Sequence, residues 1–202
     1  MCERTGVGML QRVVIMSFVL AVLAGGASAH TGAGVAGGFA SGFLHPVLGW
    51  DHVVAMVAVG LWGAFLGMPA IWLLPVIFPL VMALGGAMGV VGIDLPAVET
   101  GIALSGVILG LLVAFAVRAP IWVAAVIVGT FAIFHGHAHG TELPEAANPF
   151  AYAAGFVIAT GLLHVGGILF GFLAGSQAGR IAVRGAGGVI AAVGAAFLFG
   201  LA

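Results

Sequence analysis

Five arginines and six carboxylates are the only formally charged side chains in 202 residues, and there is no lysine. A soluble domain draws roughly a quarter of its residues from Asp, Glu, Lys and Arg, because a water-facing surface has to be covered by polar groups. With 63% hydrophobic residues and 5% charged ones, no arrangement of this chain covers itself in that way. The solvent it folds into is therefore a lipid bilayer. The net charge of −1 says nothing about nucleic acid, and with no basic patch to read, no nucleic-acid partner is expected.

The amino-terminal residues have the layout of a secretory signal. Arg4 and Arg12 supply a positive region, Val13 to Ala24 an apolar core, and Ala27-Ser28-Ala29 a small-residue cleavage site. This predicts a signal peptide over residues 1–29 and a mature domain over 30–202, beginning at His30. The alternative is an uncleaved first helix, which places the next segment on the same side of the membrane. The single cysteine, Cys2, falls in the signal, so a metal site in the mature chain has to use nitrogen and oxygen donors.

A bilayer core of about 30 Å takes about 20 apolar residues per helix. Six such runs follow the signal: Pro46 to Gly67, Pro69 to Gly92, Pro96 to Val117, Pro120 to His139, Pro149 to Gly175, and Gly179 to Leu201. All but the last start at a proline, which fits a helix's first turn because the missing N–H had no partner there. The expected fold is an all-α integral membrane protein, a bundle of six transmembrane helices after a cleavable signal peptide. Its 35 glycines allow close helix approach, within the chain or in a trimer alike. With the mature amino terminus outside, Arg118, Arg180 and Arg184 fall on the cytoplasmic side, and Asp94, Glu99, Glu142 and Glu145 fall opposite.

Two stretches break the apolar pattern. In "FHGHAHGTE", Phe134 to Glu142, helical spacing puts His135, His139 and Glu142 on one face and turns His137 away. Imidazoles one turn apart chelate a divalent transition metal, and a carboxylate a turn further adds an oxygen. In "HPVLGWDHVVAM", Pro46 is expected to start the first mature helix, with Asp51 and His52 in its second turn. His45 and His52, seven apart, then share a face unless Pro46 turns His45 aside. An aspartate within a membrane helix costs about 2.5–3.5 kcal/mol at mid-helix on insertion scales, so it normally meets a cavity, an ion or a partner. The plain alternative for each of these residues is an interfacial histidine that caps a helix or bonds water.

Single residues add to the list. Glu99 either complements a helix dipole or acts as a ligand. His164, mid-way along its run, is equally suited to a backbone hydrogen bond, a relay or a ligand. Met56 is expected to pack in the core, and His30 chelates only if cleavage exposes its amino group.

Both motifs resemble those of the HupE/UreJ family of bacterial nickel and cobalt permeases. The family's histidine followed after five residues by Asp-His matches His45, Asp51 and His52, and its F-H-G-x-A-H-G-x-E matches Phe134 to Glu142 with His137 in the variable slot. The stretch "LPAVETGIALS" around Glu99 also fits, while the last helix contributes nothing specific. The resemblance implies a permease, not an enzyme, that carries Ni²⁺ or Co²⁺ across the bacterial cytoplasmic membrane, with the mature amino terminus periplasmic. It implies no prosthetic group; the metal ion is cargo. The candidate ligands are His30, His45, Asp51, His52, Glu99, His135, His139, Glu142 and His164. Imidazole and carboxylate suit Ni²⁺, Co²⁺ or Zn²⁺ alike. The competing readings are a membrane metal- or haem-dependent redox protein, such as a di-iron hydroxylase or a carrier ligating haem through His52 and His164, and a metal sensor that transports nothing.

Overall fold

The computed structural model describes residues 38–141, 143 and 148–202. Within them lie seven α-helices and one 3₁₀ turn, with no strand among the described residues. The helices are α1 (Gly38–Leu48), α2 (Trp50–Leu66), α3 (Ala70–Val90), α4 (Val98–Ala114), α5 (Ile121–Thr141), α6 (Pro149–Gly171) and α7 (Gln177–Leu198), with the 3₁₀ turn Phe172–Gly175 extending α6. The expected signal peptide, and with it His30, lies outside the described residues, as do Glu142 and Glu145.

Four helices are long and apolar enough to cross a bilayer: α3, α5, α6 with its 3₁₀ turn, and α7. The pair α1 and α2 makes a fifth span if its 77° bend is counted within one crossing. Helix α4, with 17 residues, is apolar but shorter, about 25 Å at 1.5 Å per residue. The distribution of side chains is that of a membrane protein. Large apolar residues such as Trp72, Leu80, Leu84 and Trp122 face outward, whereas His52, His135, His137, His139, Thr160 and His164 are buried.

The prolines mark helix starts as expected in all but one run. Pro149 is the first residue of α6, where the Asn148 side chain accepts from the N–H groups of Phe150 and Ala151, both at 3.1 Å. Pro69 and Pro120 immediately precede α3 and α5. Pro46 is the exception and corrects the expectation above. It sits in the last turn of α1, which begins at Gly38. A proline near the end of a helix removes only one carbonyl's partner, and the chain stays helical for two more residues before Gly49 turns extended, with φ −84° and ψ 108°. Asp51 and His52 therefore lie in the first turn of a second helix, not the second turn of the first.

Close approach between helices comes from glycine. In the α3/α5 pair, a Cβ on Gly136 would overlap the Met82 carbonyl, and one on Gly140 that of Gly86. Helices α2 and α6 meet through Gly60, whose Cβ would strike the His164 carbonyl, and through Gly167. Helices α4 and α7 meet through Gly110 and Gly187. In lipid, where apolar side chains gain little by associating, such backbone proximity and its van der Waals contact hold a bundle together. Met56, Leu61, Trp62, Leu74 and Phe78 fill the centre and are fully buried, as expected for Met56.

The described arginines gather at one end. The Arg184 Nε donates to the Ala114 carbonyl at the end of α4 (2.7 Å), and the Arg118 guanidinium lies 5.2 Å from the Phe65 ring near the end of α2. Trp62 Nε1 closes the same end by donating to the Val117 carbonyl at 2.9 Å. The histidines of the two motifs stand at the opposite ends of α2 and α5.

Candidate metal centre

Gly49 sets up the site. The α1–α2 break at this residue places His45, in the last turn of α1, and His52, in the first turn of α2, on either side of a bend, with ring centroids 5.5 Å apart. A larger residue there would push the two functional side chains aside. A Cβ would lie 2.9 Å from Asp51 Oδ1 and 3.1 Å from His52 Nδ1, where those two side chains meet each other.

Helix α5 brings the third imidazole. His139, in its last turn, places Nε2 2.9 Å from His52 Nε2, and its ring is 4.7 Å from that of His45. One nitrogen from each of His45, His52 and His139 falls within 4.8 Å of the others, the only such group of three or more potential ligands among the described residues. Two nitrogens bound to one metal at about 2.1 Å stand about 3.0 Å apart at a right angle and about 3.4 Å apart at the tetrahedral angle. The observed 2.9 Å is a hydrogen bond between the two rings, and it is also close to the right-angle value.

Asp51 is a neighbour of this group and not a member of it. Its Oδ1 lies 2.8 Å from His52 Nδ1, close but poorly aligned as a hydrogen bond. A carboxylate on one ring nitrogen orients the imidazole and leaves the other nitrogen for a metal, the usual outer-shell arrangement around metal-binding histidines. Phe156, 4.3 Å from the His139 ring, and Tyr152, 6.3 Å from the His45 ring, wall the group with aromatic surface. A cavity of about 240 Å³ opens beside His139 between α3, α5 and α6, lined by Met82, Gly86, Gly136 and Phe156 among others.

The remaining candidates separate. His135, fully buried one turn before His139, shares its face as the helical spacing requires, with its ring 5.2 Å from that of His52. Its Nδ1 donates to the Phe131 carbonyl at 3.0 Å, which fixes the tautomer and leaves Nε2 bare and without a partner. His137 points the other way and donates from Nε2 to the Ile93 carbonyl at 2.7 Å, tying the segment after α3 to α5. His164 is buried on α6, and the Phe78 ring lies 5.5 Å from its ring and 5.5 Å from that of His135. Glu99 is exposed in the first turn of α4 and does not join the three imidazoles. Glu142 and His30 lie outside the described residues.

Four residues around these histidines escaped the reading of the sequence: Phe78, Tyr152, Phe156 and Thr160. A signal for three of them existed. Tyr152, Phe156, Thr160 and His164 recur every four residues along α6, the spacing of one helix face.

Comparison with known proteins bears on the same residues. The HupE / UreJ protein family matches residues 18–197, a stretch that includes both histidine motifs. Protein HupE of Rhizobium leguminosarum bv. viciae is 51% identical over 182 residues, which covers 90% of this chain and 95% of that protein. No solved structure matches.

Proposed function

The chain belongs to the HupE/UreJ family, and from that premise we propose that it is a permease importing a divalent transition metal, Ni²⁺ or Co²⁺, across the bacterial cytoplasmic membrane to supply hydrogenase or urease. The observation that carries this reading is the convergence of His45, His52 and His139, from three different helices, on one buried point. Three imidazoles without a thiolate match a borderline dication better than Mg²⁺ or Ca²⁺, which prefer oxygen.

In this reading residues 1–29 are a cleaved signal, and the mature chain of 30–202 crosses the membrane six times, with α1 and α2 as one broken crossing and α4 as a short one. The mature amino terminus and the imidazoles face the periplasm, and the arginine end faces the cytoplasm, in keeping with the positive-inside rule. His30, Glu99 and Glu142 act at the entrance, where their donors attract the hydrated ion. His45, His52 and His139 replace part of its water shell, and Asp51 holds His52 in register and offsets part of the charge. His135, with its bare Nε2, is the next donor inward. Conduction requires release as well as capture, so the ion has to pass from the three imidazoles to the next donor inward. Inward movement of a dication gains about 4.6 kcal/mol per 100 mV of inside-negative potential, from about 2.3 per charge.

The test is uptake of radiolabelled Ni²⁺ by proteoliposomes carrying the purified chain, with Co²⁺ and Zn²⁺ as competitors. Concentration-dependent, saturable uptake that Co²⁺ suppresses is expected. Uptake no faster than in empty liposomes would overturn the reading, and a Soret band in the purified protein would redirect it to haem.

A further inference from the structure

Below the three imidazoles, one face of α6 continues inward as Tyr152, Phe156, Thr160 and His164, all buried. The first two wall the outer group. The next two carry polar atoms that make no well-formed hydrogen bond: Thr160 Oγ1 and both ring nitrogens of His164, with Thr160 fully buried and His164 1% exposed. Unpartnered buried polar atoms are rare because burial removes their water without compensation.

Thr130 shows the ordinary solution. Its hydroxyl donates to the carbonyl one turn back, Val126, at 2.8 Å. Thr160 makes no such bond, so its hydroxyl remains free for something else. On α3, Pro79 has no N–H to give to the Pro75 carbonyl, the bond an unbroken helix would make there. That carbonyl acts on the His164 ring as an acceptor without forming a well-aligned hydrogen bond. Phe78, one residue before Pro79 and fully buried, touches both histidines, with its ring 5.5 Å from that of His135 and 5.5 Å from that of His164.

We propose that Thr160 and His164 form a second, deeper station for a divalent transition-metal cation, separated from His135 and the outer imidazoles by the Phe78 ring. The inference rests on the permease reading above and adds to it where the ion goes after the outer group. Imidazole and hydroxyl, with the freed Pro75 carbonyl at hand, form a nitrogen–oxygen set weaker than three imidazoles. The aromatic ring keeps the stations apart, so an ion moves from the stronger set to the weaker by displacing Phe78.

The experiment uses the full chain, purified and reconstituted, with Ni²⁺ itself as probe. Equilibrium dialysis counts the ions bound, proteoliposomes report uptake, and thermal denaturation reports folding. The wild type is expected to bind two ions per chain. His164→Leu replaces an unpartnered imidazole by an apolar side chain, so its melting temperature should be no lower, while one ion is lost and uptake falls at least ~10-fold. Thr160→Val, nearly the same shape, should lower uptake by a smaller factor at unchanged melting temperature. His164→Gln keeps a polar donor and should recover part of the uptake; it also stands in should the leucine variant fail to fold. Two ions bound and wild-type uptake in the His164 variants would overturn the inference, as would a wild type that binds a single ion, the result expected if Thr160 and His164 merely hold a water. Failure of the wild type to bind or move Ni²⁺ at all would instead take down the permease reading itself.

Discussion

The α3/α5 pair and the α4/α7 pair are built by the same device and serve different ends. Each is a seam of glycines at which the backbone of one helix lies against the other, Gly136 and Gly140 in the first and Gly110 and Gly187 in the second. Along α5 the seam is bordered by His135 and His139, whose side chains reach the site. Along α4 the one buried polar side chain is Ser105, and it satisfies itself on the Ile102 carbonyl at 2.6 Å. Glycine spacing in this chain thus reports how closely helices pack and nothing about chemistry. Chemistry follows the buried groups that packing alone leaves without a partner.

Substitution should expose that difference. The largest effect is expected where the seams are filled. Gly136→Leu and Gly110→Leu each force a side chain into a neighbouring backbone, at more than ~3 kcal/mol by comparison with ordinary overpacking. Both should abolish folded protein in size-exclusion chromatography. A well-folded Gly110→Leu variant would show that the second pair is a looser scaffold than the first.

Next comes the imidazole group. His139→Ala should leave the protein folded and cut Ni²⁺ uptake more than ~100-fold, beyond the loss expected for an outer-shell partner. Equal, mild effects at His135, His137 and His139 would break the distinction between the two pairs.

Asp51→Asn keeps the shape and removes the charge beside His52. A loss of ~10–100-fold in Ni²⁺ affinity is expected, the range for losing a group that orients a ligand. Dialysis against graded Ni²⁺ measures it, and a complete loss of binding would promote Asp51 from orienting residue to direct ligand.

The smallest effect belongs to His137→Ala. It removes one hydrogen bond to Ile93, about 1 kcal/mol of stability, and should lower the melting temperature while leaving uptake essentially intact. Uptake reduced as severely as in His139→Ala would place His137 in the path.

The helical period alone put His135 and His139 on one face of α5 and His137 on the other, because 100° per residue needs no tertiary information. Met56 in the core followed from its place in an apolar run. The convergence of His45 with His139 was not legible, since it depends on how distant segments pack. Nor was the break at Gly49. Proline before an apolar run is the ordinary mark of a helix start, and "HPVLGWDH" carries the same letters whether Pro46 opens a helix or sits in its last turn. Thr160 carries no mark in the sequence for a related reason. A lone threonine in a membrane helix normally bonds its own backbone, and only the geometry reveals that this one does not.

The bend at Gly49 makes the histidine motif a joint rather than a string of letters. On a straight helix, residues seven apart are about 10 Å from each other along the axis, too far for one ion to touch both. The 77° bend folds that distance until the rings of His45 and His52 stand 5.5 Å apart. An ion held by both would act as a rivet, fixing the angle between the two arms of the broken helix. The same eight residues transplanted onto an unbroken helix would bind nothing, however faithfully they were copied. One residue inserted between Leu48 and Trp50 would disturb the site more than many substitutions around it, because adding a residue to either arm turns that arm's side chain by about 100°.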